Sequence, residues 1–203
     1  MNQNRILQRG LEQLFLAEVL TLVVGVGSLL PLGDVFLGAV SLLSIGAMVL
    51  MLVGLSTLRG VERGYRLAFQ LSIVELVMAF VGGFLTAVLG LYVSISSMLG
   101  ALSLISVVAL ALEGVVLYLS CGATMEQIYP IAEQTAEQGS LVRMLVPLVV
   151  AVGVVGQALY VLPLTRDLSD FVTLLASVLQ VAVHACFVRF LFQCRKVVAP
   201  VAR

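Results

Sequence analysis

Apolar residues fall in six long runs along this chain, at 14–32, 35–58, 67–89, 97–119, 141–164 and 170–194. At about 1.5 Å of rise per residue, each run folded as a helix reaches across a hydrocarbon layer roughly 30 Å thick. The breaks are turn-like: "PLGD" at 31–34, "GLYVSIS" at 90–96 and "PLTRDLSD" at 163–170 are short, and "RGVERGYR" at 59–66 carries charge. The longest break, 122–140, is polar and is expected to be a solvated loop with some helix. The pattern predicts an all-α, polytopic integral membrane protein: six transmembrane helices arranged as three helical hairpins, in a single domain over 1–203.

The first run follows Arg5 and Arg9, the flank of a secretory leader, but it is longer than a leader's apolar core and lacks a small-residue cleavage site. It is read as a span. Before it, Ile6, Leu7, Gly10, Leu11 and Leu14 repeat at helical spacing among polar neighbours, as in an amphipathic turn lying in the membrane interface.

Composition agrees with this class, since 61% of residues are hydrophobic and 11% charged. Net charge is zero without a basic patch, which argues against a nucleic-acid partner. The 11 basic residues fix an orientation: in a six-span chain only Arg166 falls on the side opposite both termini, so both termini are expected in the cytoplasm. Tyr65, Tyr92, Tyr118 and Tyr160 lie near span ends, where a phenol ring suits the membrane interface. The bacterial inner membrane is the expected location. Cys121, Cys186 and Cys194 fall on the cytoplasmic side without CxxC spacing, so free thiols are expected, with no disulfide or metal site.

Sliding the chain by 54 residues superposes Gly10, Phe15, Leu22 and Gly46 on Gly64, Phe69, Leu76 and Gly100, an internal repeat matching the hairpins. The same slide superposes two polar stripes. Glu18, Thr21, Gly25 and Ser28 share one face of the first span, and Ser72, Glu75, Ala79, Gly82 and Thr86 share one face of the third. Ser103, Ser106, Glu113 and Ser120 do so in the fourth, Gly153, Gln157 and Tyr160 in the fifth, and Ser169, Thr173, Ser177, Gln180 and His184 in the sixth. Helices with such seams pack them against each other and away from lipid.

Ionisable groups inside a membrane cost roughly 2.5–3.5 kcal/mol each on insertion scales, so they are paired, protonated or wet. Counted inward from the cytoplasmic span ends, Glu18 lies about 6 Å deep, Glu113 about 9 Å, Glu75 about 12 Å and His184 about 15 Å. Shared depth predicts a cluster of Glu18, Glu75, Glu113, Gln180 and His184 that opens toward the cytoplasm, with Arg189 as an ion-pair partner of Glu113.

Sequence motifs for catalysis are missing: there is no GxxxxGK[ST], HExxH, GxSxG or CxxC, and no cofactor or metal site is expected. Two functional readings stand. One is a transporter or solute-binding membrane subunit whose cluster handles protons or a small cationic solute. The other is a non-catalytic assembly or accessory protein whose stripes are packing faces, within one subunit, in a homo-oligomer or against a partner membrane subunit.

Overall fold

The computed structural model describes residues 3–30, 34–89, 95–160 and 166–201. Six helices follow one another: α1 (Gln3–Ser28), α2 (Asp34–Leu58), α3 (Arg63–Leu89), α4 (Ile95–Ile128), α5 (Glu133–Tyr160) and α6 (Arg166–Val201). All but α2 are long and apolar enough to cross a membrane over their described residues; in α2 the apolar stretch, Leu42–Leu58, is shorter. The short connections expected around 31–34, 90–96 and 163–170 lie largely outside the described residues, as do the side chains of Tyr92 and Tyr160.

Each helix packs against the next, and α6 closes on α1, so the six form a ring. Among the described residues, the seam between α2 and α3 is the least extensive of these. Contacts across the ring show consecutive helices running in opposite directions. Gly10 on α1 meets Leu58 at the end of α2, the Tyr65 hydroxyl lies 2.8 Å from Thr124 Oγ1, and Gly139 on α5 meets Phe190 on α6. The beginning of α1 and the end of α6 join at this same end, where the Arg195 guanidinium lies over the Phe15 ring at 4.5 Å. Arg5, Arg9, Arg59, Arg63 and Lys196 belong to this basic end.

The segment 122–140 is not a loop. Apart from a turn at 129–132 it is helical, extending α4 to Ile128 and starting α5 at Glu133. Its Glu, Gln, Ala and Met residues are strong helix formers, and Ile128 and Ala136 bury themselves in the core, so local propensity and tertiary packing agree. Pro130, lacking an amide hydrogen, sits in the break, where the Ile128 carbonyl accepts from Ile131 and Ala132 at 2.9 and 2.8 Å. The Tyr129 hydroxyl donates to Glu133 at 2.6 Å, and that carboxylate raises the phenol's pKa. The turn at 59–62 closes in the same way, Leu58 accepting from Val61 at 2.8 Å, and the Glu62 carboxylate accepts from the Arg63 amide at 2.9 Å to cap α3.

The amphipathic start is likewise part of α1, whose Leu7, Gly10, Leu11 and Leu14 are buried against the bundle instead of lying in the interface. With Leu55, Leu58, Tyr65, Phe187, Phe190 and Leu191 they form a solid apolar plug at the basic end. Tyr65 is therefore a core residue and no interfacial anchor; Tyr118 is partly exposed, with Arg143 over its ring at 4.2 Å. The three thiols are free. Outward positions are bare hydrocarbon, as at Leu42 (72% exposed) and Phe80 (69%), a surface that suits lipid contact.

Close helix approach depends on glycine at particular places. A β-carbon on Gly64 would sit 2.9 Å from the Ala123 β-carbon and 3.3 Å from the Leu119 carbonyl oxygen, leaving α3 and α4 no flexible side chain to yield. Gly64→Ala is expected to destabilise the fold by about 1–3 kcal/mol through overpacking. Gly83→Ala, with nothing within 4 Å, is expected to be neutral or mildly stabilising. Thermal unfolding of the two variants in one detergent checks this, and equal melting temperatures would contradict the packing described.

Candidate functional site

Glu18 sits midway along α1, one turn past Leu14, on the face that α1 turns toward the bundle. It is 0% exposed, and its Oε2 lies 2.7 Å from His184 Nδ1 on α6. The other ring nitrogen, His184 Nε2, lies 3.2 Å from Glu113 Oε1 on α4. Gln180 precedes His184 by one helical turn and so shares its face; its amide donates to Glu113 Oε2 at 2.9 Å. The imidazole, 6% exposed, thus bridges two carboxylates from helices far apart in sequence.

Proton counting limits the states of this chain of bonds. A neutral imidazole carries one N–H, yet both ring nitrogens face carboxylate oxygens. Either the ring is an imidazolium donating both ways, or it is neutral and one carboxyl group holds the extra proton. The two states differ by a proton shift along a bond already formed, which is the arrangement a proton relay needs.

Glu75 on α3 completes the group differently. It is half-buried and within electrostatic reach of Glu113, Glu18 and His184, but makes no hydrogen bond among the described residues. Three carboxylates therefore surround one imidazole. Among the described residues, no Arg or Lys lines the three cavities that meet here.

Those cavities extend the site. One of about 120 Å³ lies among α1, α2, α3, α4 and α6, touching Glu18, Ser72, Glu75, Glu113 and His184. A second, about 320 Å³, runs from Glu75 and Glu113 past Ser106, Gln157 and Thr173. A third, about 270 Å³, runs from His184 past Thr21, Gly25 and Ser28. The latter two lead away from the basic end, where the apolar plug lies. The expected opening on the side of the termini is thus on the other side of the cluster, because the large apolar residues of α1, α3 and α6 concentrate where the helices start and finish at that end.

The stripes expected to face inward largely do so. Ser72, Ser103, Ser169 and Gly153 are buried, and Ser103 and Ser169 donate across to the carbonyls of Gln157 and Gly156 at 3.1 Å each. Ser28, Ala79 and Ser106 are exposed, and the Thr86 and Tyr160 side chains lie outside the described residues. Arg189 does not pair with Glu113. It is exposed and forms no ion pair among the described residues, because five residues beyond His184 place it about 140° around α6, on the outer face.

The sequence reading missed the contribution of α2. Ser44, Ala47, Met48 and Met51 line the first cavity at i, i+3, i+4 and i+7. Their spacing carried the signal, but methionine and alanine do not stand out in an apolar run. Among the described residues no three His, Cys, Asp or Glu side chains are placed to hold a metal ion. No protein-family model, curated protein or solved structure matches the chain.

Proposed function

We propose that this chain is a membrane transporter or solute-binding membrane subunit in which Glu18, His184, Glu113 and Gln180, with Glu75 beside them, take up and release protons or a small cationic solute. The observation that carries the reading is His184, buried and held at both ring nitrogens by carboxylates of α1 and α4, the second of which, Glu113, lines all three cavities. Negative charge in excess of the lone imidazole, with no basic side chain lining those cavities among the described residues, favours a cation over an anion or a neutral solute.

The proposal includes an orientation and a setting. With the basic end in the cytoplasm by the positive-inside rule, the helices form three hairpins, the 54-residue repeat describes them, and the cavities face the opposite compartment. An energised plasma membrane, such as a bacterial inner membrane, would supply the proton gradient such a relay uses. The competing reading, an accessory protein with stripes for packing, draws support from the close helix approaches at Gly54 and Gly64. Packing alone gives no reason for three carboxylates around one imidazole, each costly in lipid.

Proteoliposomes enclosing a pH-sensitive dye test the proposal. An imposed cation or proton gradient is expected to produce a flux through the wild-type chain, and Glu113→Gln, which keeps shape but not charge, is expected to reduce it to the level of empty vesicles. The lipid-facing Val77→Leu is expected to leave it unchanged. Equal flux from wild type and Glu113→Gln would overturn the assignment of the cluster.

A further inference from the structure

Of the buried polar atoms without partners among the described residues, two belong to residues lining the same cavity. Glu18 Oε1 has no hydrogen-bond partner although Glu18 is fully buried, and Ser72 Oγ has none although Ser72 is 3% exposed. A buried oxygen without a partner costs about 1–3 kcal/mol, and more when charged, so such atoms point to an occupant. At about 120 Å³ the cavity offers more room than one water needs.

The chemistry of the walls narrows the occupant. Ala47, Met48, Met51, Val116 and Leu117 make one part of the cavity apolar, whereas Glu18, Ser72 and Glu75 are polar residues among its lining. An anion would meet carboxylates without a basic residue. A bare metal ion needs six or more oxygens, commonly including carbonyls freed by broken helices, and here α1, α3, α4 and α6 run unbroken through the site. A quaternary ammonium has no N–H for the two unpartnered oxygens, and among the described residues no aromatic ring lines the cavity to receive it. A protonated amine carrying a short hydrocarbon body meets each requirement: positive charge, several N–H donors and an apolar remainder.

Resting on the reading of the cluster as a cation-handling site, we infer that this cavity binds a protonated primary or secondary alkylamine, its N–H groups directed to Glu18 Oε1 and Ser72 Oγ, its charge balanced by Glu75 and its alkyl body against Met48 and Met51.

The test uses the full chain in lipid nanodiscs at neutral pH, with n-butylamine, tetramethylammonium, sodium chloride and 1-butanol as probes, read by calorimetry and thermal shift. Saturable binding of n-butylamine alone is expected, weakened roughly tenfold or more in Ser72→Ala, and more strongly in Glu18→Gln, by loss of a charge-assisted hydrogen bond. The selectivity among probes needs no variant, and Ser72→Ala is mild enough to fold if Glu18→Gln is not. Tetramethylammonium or sodium binding as well as butylamine, or no saturable response to any probe, as when the cavity holds water alone, overturns the inference. If amine binding is missing while Glu113-dependent flux persists, this inference fails and the transport reading stands; if binding persists without flux, the reverse holds.

Discussion

His184→Ala is expected to destabilise the protein by about 3–5 kcal/mol, because it strands two carboxylates that the imidazole now bridges. Among the described residues, Glu18 would lose its one hydrogen-bond partner, and Glu113 would keep Gln180 alone. Thermal or denaturant unfolding in a fixed detergent measures the loss. Replacing the whole network with apolar residues of similar volume, as Glu18→Met, His184→Leu and Glu113→Met together, is expected to recover most of that stability, since no buried charge is then left alone. That triple variant should be folded and inactive. If it retained flux, or if His184→Ala melted with the wild type, the network would not be the buried ionic bridge described.

Glu75→Gln is expected to behave in the opposite way, abolishing flux while changing stability by less than about 1 kcal/mol. Glu75 is half-buried, makes no hydrogen bond among the described residues, and lies between the first two cavities, so little packing depends on its charge. Its remaining interactions are long-range, and two of the three are with carboxylates of like charge. Flux in vesicles and melting temperature, measured on one preparation, check the pair of outcomes. A wild-type flux with Glu75→Gln would exclude this residue from the transport path. A large fall in melting temperature would mean that its role is structural.

The contrast between these two residues also shows what was legible before folding. The stripe carrying Ser177, Gln180 and His184 on α6 could be read from helical spacing, and so could its need to meet Glu18 and Glu113, because an isolated ionisable group in lipid is too costly to leave unpartnered. Spacing could not say that Glu18 and Glu113 would take opposite sides of one ring, nor that Glu75 would stay outside the hydrogen-bonded chain. Arg189 shows the limit from the other direction. Similar depth suggested a pair with Glu113, but angular position around α6, not depth, decides which side chains meet.

By itself, the sequence determined that there are six apolar helices and most of the faces they turn inward, because hydrophobic run length and 3.6-residue periodicity are local properties; it read all six as membrane spans, whereas five are long and apolar enough over their described residues. Only the tertiary structure decided that α6 closes the ring against α1, that 122–140 extends two helices, and that the cavities lead away from the basic end. Those outcomes depend on which large side chains fill the space between helices distant in sequence, as Leu14, Tyr65 and Phe187 do at the plugged end, and no local pattern records that.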